Sequence, residues 1–358
     1  MMGLTVADCS HLFLSLACLL LLARGVTSFL GCVNLPAVLG EILLGIFLGP
    51  TLLGTLFPTV SKWLLPIDGS VGSAFQLIIR MVVILLLFVA GMETNLSAIR
   101  TEGRKVLWIA LGSALLPFVA GLLLALGFPA LFGIVSGQPF LFGSFVGIAF
   151  AISALPVIIR ILMDLGLYHS KVGTITVAAA SLMDLWGWMA FTIILSNFKP
   201  TTIQDSVGML WSHMTLLSFL VGILLGNSSH VPKKAQKLAY GIVIPFLSPL
   251  FFLSIGAKVN FAANWQVPLI ASIIFLATFS KIAGTFVAGR LNGLSDKEAL
   301  AVGFALNARG AMEIILSEKA LEVGLIQPPL FVALVIMALF TSFLGGPAVK
   351  HLSRKSTE

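Results

Sequence analysis

Charge is what this sequence has least of. Asp, Glu, Lys and Arg make up 10% of its 358 residues and hydrophobic residues 58%, whereas soluble domains carry roughly a quarter charged residues. That scarcity, with a mean hydropathy of +1.08, excludes a water-soluble fold and implies an integral membrane protein. Cysteine is nearly absent too: Cys9, Cys18 and Cys32 stand at no paired or metal-type spacing, which excludes a disulfide framework and a thiolate metal centre. Cys18 reads as a small hydrophobe inside an apolar run. The five histidines, His11, His169, His213, His230 and His351, fall at span ends or in loops. No His pair, nucleophile elbow or Asp pair occurs at usable spacing, so no enzyme and no cofactor is expected. His169 and His213 remain candidates for sensing pH.

What the chain has in quantity is long apolar runs. In hydrocarbon only helices or closed barrels satisfy their own backbone, and continuous runs imply helices. Eleven spans fit, at about 11–31, 35–54, 74–93, 105–128, 140–163, 171–196, 209–226, 239–258, 266–290, 298–320 and 328–349. The second is short, and Gly40, Gly45, Gly49 and Pro50 suggest that it is broken or tilted. The first is expected to be a membrane helix although it could be mistaken for a signal peptide, because residues 1–10 hold no Lys or Arg and no convincing small-residue cleavage site follows. The expected architecture is a single all-α transmembrane domain over 1–358, with no soluble regulatory domain.

Lys and Arg accumulate in short cytoplasmic loops. Here they gather as Arg100, Arg104 and Lys105; Lys171; Lys233, Lys234 and Lys237; Arg290 and Lys297; and Lys350, Arg354 and Lys355. The alternate loops are poor in them: 129–139 and 259–265 carry no charge, and 197–208 holds only Lys199 and Asp205. An outside N-terminus and a cytoplasmic C-terminus satisfy every loop. The net charge of +7 is then mostly a topology signal, and no nucleic-acid partner is implied.

Six charges remain well inside the spans: Glu41, Arg80, Asp184, Lys281, Arg309 and Glu313. A charge at the bilayer centre costs at least about 2.5–3.5 kcal/mol, so such groups face a protein interior or a wet cavity and often mark an ion path. Arg24 and Arg160, nearer the cytoplasmic ends, can snorkel. Arg80 can pair with Glu41, and Arg309 with Glu313 four residues on. Asp184, in "AAASLMDLWGWM", has no charged neighbour of that kind.

Two spans look interrupted. In "FAISALPVIIRIL" Pro156 removes a backbone donor, and Ser153 can serve the freed groups. In "GFALNARGAMEIIL" Gly303, Asn307 and Gly310 weaken the helix around Arg309 and Glu313. One lies in each half of the chain. That is the pattern of an inverted-repeat transporter, in which two broken helices cross near the midplane and their half-helix dipoles flank an ion site. Two ordinary kinked helices are the alternative.

The strings "LPAVLGEILLGIFLGPTLLG" (35–54), "LLLFVAGMETNLSAIR" (85–100), "AISALPVIIRILMDLGL" (151–167), "AAASLMDLWGW" (178–188), "PLFFLSIGAKVNF" (249–261) and "ALNARGAMEIIL" (305–316) together resemble the monovalent cation:proton antiporter family 2 of the sodium/hydrogen exchanger superfamily. The resemblance implies a homodimer in which a core domain moves like an elevator beside a dimerisation domain. It places the core at about 74–196 and 266–349 and a reduced scaffold at about 11–54 and 209–258. Asp184 matches the family's ion-binding aspartate, which holds a cation or a proton but not both, and Lys281 matches the core lysine. Ser153 and Ser181, the latter one turn before Asp184, can complete a shell of hard oxygen ligands for sodium or potassium.

This chain departs from the family in two ways. The residue before the key aspartate is Asp in electrogenic members and commonly Asn or Gln elsewhere; here it is Met183, a soft thioether. Lys281 then loses its usual partner, and either pairs with Asp184 or gives up its proton. About two helices are missing between Ser196 and Ser218. The expected function is cation:proton antiport, one for one by competition at Asp184. The alternatives are a non-transporting accessory or truncated relative, and a carrier or channel for something else, for which Lys281 and Arg309 could favour an anion.

Overall fold

Proline and glycine punctuate the apolar runs. A computed structural model describes residues 5–31, 37–66, 69–93, 96–132, 138–168, 170–197, 203–228 and 231–354. Every regular element among them is helical. In chain order they are α1 (Val6–Gly31), α2 (Ala37–Leu48), α3 (Leu53–Leu56), α4 (Pro58–Leu64), α5 (Gly69–Glu93), α6 (Leu96–Gly127), α7 (Pro129–Phe132), α8 (Pro139–Ala151) and α9 (Leu155–Asp164). There follow α10 (Lys171–Asn197), α11 (Ile203–Gly226), α12 (Lys233–Ile242), α13 (Ser248–Lys258), α14 (Val267–Leu291), α15 (Asp296–Leu306), α16 (Ala311–Glu322) and α17 (Pro328–Arg354). Cys32, His169, Lys199, His230 and Lys355 lie outside the described residues.

Prolines open α4, α8 and α14 within the first turn, where the missing N–H would have had no intrahelical partner anyway. Ser295 and Glu298 form a reciprocal capping box at the start of α15. A π-helical turn at Val243–Leu247, containing Pro245, joins α12 to α13. The backbone of α6 bends at Gly103 (φ 10°, ψ −89°), so its membrane-length part runs from 103, close to the expected start.

Among the described residues eight helical stretches are individually long and apolar enough to cross a membrane. The remaining expected spans take other forms. The 140–163 span is two half-helices, α8 and α9, and 298–320 is likewise α15 and α16. The 209–226 span falls within α11, which starts at Ile203.

The chain divides into two units. The first comprises Met1–Met92 and Leu217–Trp265. Water-driven burial contributes little between helices in lipid, so close approach through small residues supplies the contact energy. α2 and α13 meet in this way. A Cβ on Gly45 would stand 2.0 Å from the Leu253 carbonyl oxygen, and one on Gly256 would stand 2.2 Å from that of Ile42. Glu41 is buried in this unit. Arg24 lies within electrostatic reach of it, and the Arg24 guanidinium lies 5.4 Å over the Phe246 ring.

The second unit comprises Glu93–Leu216 and Gln266–Glu358. α6 runs through it and packs on α8, α10 and α14. Val106 and Ile109 of α6 join Ile158 of α9, Ala178 to Ala180 of α10, and Val302 and Leu306 of α15 in one buried cluster. α5, which the sequence reading grouped with 74–196, belongs to the first unit as far as Met92.

Candidate functional site

The second unit contains both interrupted helices. α8 ends at Ala151, and Ile152 and Ala154 are extended before α9 begins. Pro156 therefore stands in the first turn of a new half-helix, where proline is tolerated, and the interruption precedes it. The second break runs from Asn307, the C-cap of α15, to Gly310, the N-cap of α16.

The breaks satisfy each other's backbone. Ala154 N donates to the Ala308 carbonyl at 2.9 Å, and Ser153 Oγ donates to that of Leu306 at 2.6 Å. Gly310 leaves no room between them: a Cβ there would meet Val157 Cγ2 at 2.9 Å and Ala154 Cβ at 3.1 Å. The glycine is needed for this approach.

The C-terminus of α8 presents orphan carbonyls and the negative end of a helix dipole. Two buried cations answer it. Arg309 donates from Nη1 to the Ala149 carbonyl and from Nη2 to that of Phe150, the latter at 2.7 Å. Lys281 donates to the Ala151 carbonyl. Sequence reading missed this role, although three apolar residues before a non-helical "ISA" were the signal that carbonyls needed donors. Ser342 of α17 in turn donates to the Arg309 carbonyl.

The expected Arg309–Glu313 pair is present. Nη1 and Oε2 are 3.6 Å apart and both side chains are almost fully buried. That separation exceeds hydrogen-bond distance, and neither Glu313 oxygen has a hydrogen-bond partner among the described residues. Asn307 Oδ1 is in the same condition.

Asp184 lies on α10 and is 3% exposed. Ser181 donates to the Val177 carbonyl at 3.0 Å. Ser153 and Ser181 thus direct their hydroxyl protons at backbone carbonyls, which leaves each oxygen with acceptor capacity. Trp188 Nε1 donates to Met312 Sδ at 3.4 Å and links α10 to α16. Met183 Sδ lies 3.8 Å from Ser153 Oγ and 4.0 Å from Lys281 Nζ. Position 183 therefore does face the core lysine, which here spends its proton on Ala151. The Asp184 charge also acts on Lys281.

A sequence profile described as sodium/hydrogen exchanger, transmembrane, matches residues 15–227 and 209–355. The chain belongs to the sodium/hydrogen exchanger family. Among relatives, the Na(+)/H(+) antiporter NhaS4 of Synechocystis is 28% identical over 88% of this chain and 90% of its own length. The Na(+)/H(+)-K(+) antiporter GerN of Bacillus cereus is 24% identical over 88% of this chain and 89% of its own. Cation/H(+) antiporter 17 of Arabidopsis thaliana is 27% identical over 94% of this chain but only 48% of its own length. The exchanger-family chain thus spans about half of such plant relatives and most of the bacterial ones. The structure of the sodium proton antiporter MjNhaP1 from Methanocaldococcus jannaschii at pH 8 shares the fold, with a TM-score of 0.65 at 15% identity over 97% of this chain and 99% of that one. The chain is an integral, multi-pass membrane protein of a transporter family.

Proposed function

We propose that this chain is an antiporter exchanging sodium or potassium for protons, one for one, by competition at Asp184. The observation that carries the reading is the pair of helix breaks locked together at Ala154–Ala308 and Ser153–Leu306, with a buried carboxylate on the helix packed beside them. Irregular backbone at membrane depth persists only where it is buried in protein or lines a wet cavity, and transporters place their ion sites at such breaks. The names of the relatives point the same way.

In this reading the eight long helices, the two broken pairs and α11 make eleven crossings, and the broken pairs cross each other. The N-terminus lies outside and the C-terminus in the cytoplasm. Asp184 with Ser153 and Ser181 holds the cation, and Lys281, Arg309 and Glu313 maintain the breaks. The second unit carries the ion by elevator-type movement, and the first forms a homodimer. Because cation and proton neutralise the same carboxylate, the loaded core crosses only when one of them is present. A single acid of this kind makes the exchange electroneutral.

A second reading, a non-transporting accessory relative, is favoured by one observation. The two profile matches overlap at 209–227, so α11 stands against two places in the family pattern and the scaffold is short. Cation-driven pH change in proteoliposomes separates the two, using sodium, potassium and lithium with wild type and Asp184→Asn. Exchange by wild type and none by Asp184→Asn is expected. A silent wild type supports the accessory reading, and an active variant removes Asp184 from the site.

A further inference from the structure

A cavity of about 180 Å³ opens in the second unit between α6, α8 and α10. Its walls include Leu111, Leu115 and Phe118 of α6, Ile152 in the first break, and Met183 and Trp186 of α10. Among the described residues no charged side chain lines it, and the Trp186 indole N–H is the one polar side-chain group. Such a cavity offers water too few partners to hold it.

Its mouth opens among exposed apolar side chains of the second unit. Leu115 is 61% exposed, and the exposed row continues through Val119 and Leu123 on α6 and through Met189 and Ile193 on α10. In a membrane-spanning chain an exposed apolar row of this kind suits contact with hydrocarbon. The inner end is different. Met183 is 2% exposed, and its sulfur touches Lys281 and Ser153 on the far side.

We propose that the cavity takes one acyl chain of a bilayer lipid, with Met183 as the apolar seal between that chain and the charged core. This accounts for the departure at position 183. A carboxylate there would border hydrocarbon as well as Lys281, whereas a thioether packs against both. The acyl tail then abuts Ile152 and supports the non-helical segment that carries Ser153.

The test is photolabelling of the whole protein in liposomes of phosphatidylcholine bearing a diazirine near the end of one acyl chain, with adducts mapped by mass spectrometry. It reads occupancy and needs no transport, so its failure is distinct from failure of the antiport reading. Adducts are expected at Met183, Trp186 or Ile152 as well as at Leu123 on the open surface. Ala114→Phe, which fills the cavity from α6, is expected to reduce the inner adducts to background while leaving those at Leu123 unchanged. Ala190→Leu fills it from α10 and serves the same purpose should the first variant not fold. Labelling of wild type at Leu123 without any inner adduct, or inner adducts that persist in a folded filled variant, overturns the proposal.

Discussion

Replacing Arg309 should damage the protein more than replacing Glu313, though the two form one ion pair. Arg309→Gln takes the donors from the Ala149 and Phe150 carbonyls. Each bond from a charged donor contributes about 1.5–3 kcal/mol, so the two amount to about 3–6 kcal/mol. The substitution also strands Glu313 in a buried position, and breaking a buried pair from one side costs about 3–5 kcal/mol. These terms share one side chain and do not add fully. A loss of at least about 4 kcal/mol is expected. Glu313→Gln keeps shape and volume and leaves Arg309 on both carbonyls, at the helix end whose dipole favours a cation by about 0.3–2 kcal/mol. Its expected cost is about 1–3 kcal/mol. The double variant strands no charge, so it should be less destabilised than the sum of the singles. Equilibrium unfolding in mixed micelles by SDS titration, followed by tryptophan fluorescence, measures all four proteins. Glu313→Gln proving as costly as Arg309→Gln, or strict additivity in the cycle, would refute the assignment of Arg309 to the end of α8.

Two further predictions concern the breaks and the residue before the aspartate. Gly310→Val places methyl groups where even a Cβ meets Val157 and Ala154 at 2.9 and 3.1 Å. Overpacking of that kind costs about 1–3 kcal/mol, and SDS unfolding should show it, whereas Gly346→Val, where a Cβ meets nothing within 4 Å, should be nearly silent. Met183→Asp sets a second carboxylate where Lys281 Nζ is 4.0 Å from the present sulfur. If the variant exchanges, its flux in proteoliposomes should respond to an imposed membrane potential while that of wild type does not; equal responses would contradict the count of one transported charge per acid.

Much of this site was legible along the chain because its signals are local. Pro156 opens the half-helix after one interruption, and Asn307 and Gly310 bound the other, whereas Gly303 lies within α15; proline lacks a donor and glycine tolerates close approach wherever it occurs. Asp184 stood out because a carboxylate among apolar residues is costly in any membrane fold. The pairing of Arg309 with Glu313 followed from a four-residue spacing on one helix. Other parts were not legible. Nothing near Lys281 in sequence indicates that its partner is the carbonyl of Ala151. Helix α5 reads like any other apolar span, so its place in the first unit depends on partners far away in the chain.

By itself the amino-acid order determined the solvent, the helical class, the positions of the interruptions and the identity of the buried acid, because each follows from the cost of exposing polar groups to hydrocarbon. Only the tertiary structure decided that the two interruptions hydrogen-bond to each other, that two buried cations close the end of α8, and that Met183 divides an apolar cavity from the charged core. These depend on contacts between residues up to 160 positions apart, and such contacts exist only once the helices have packed.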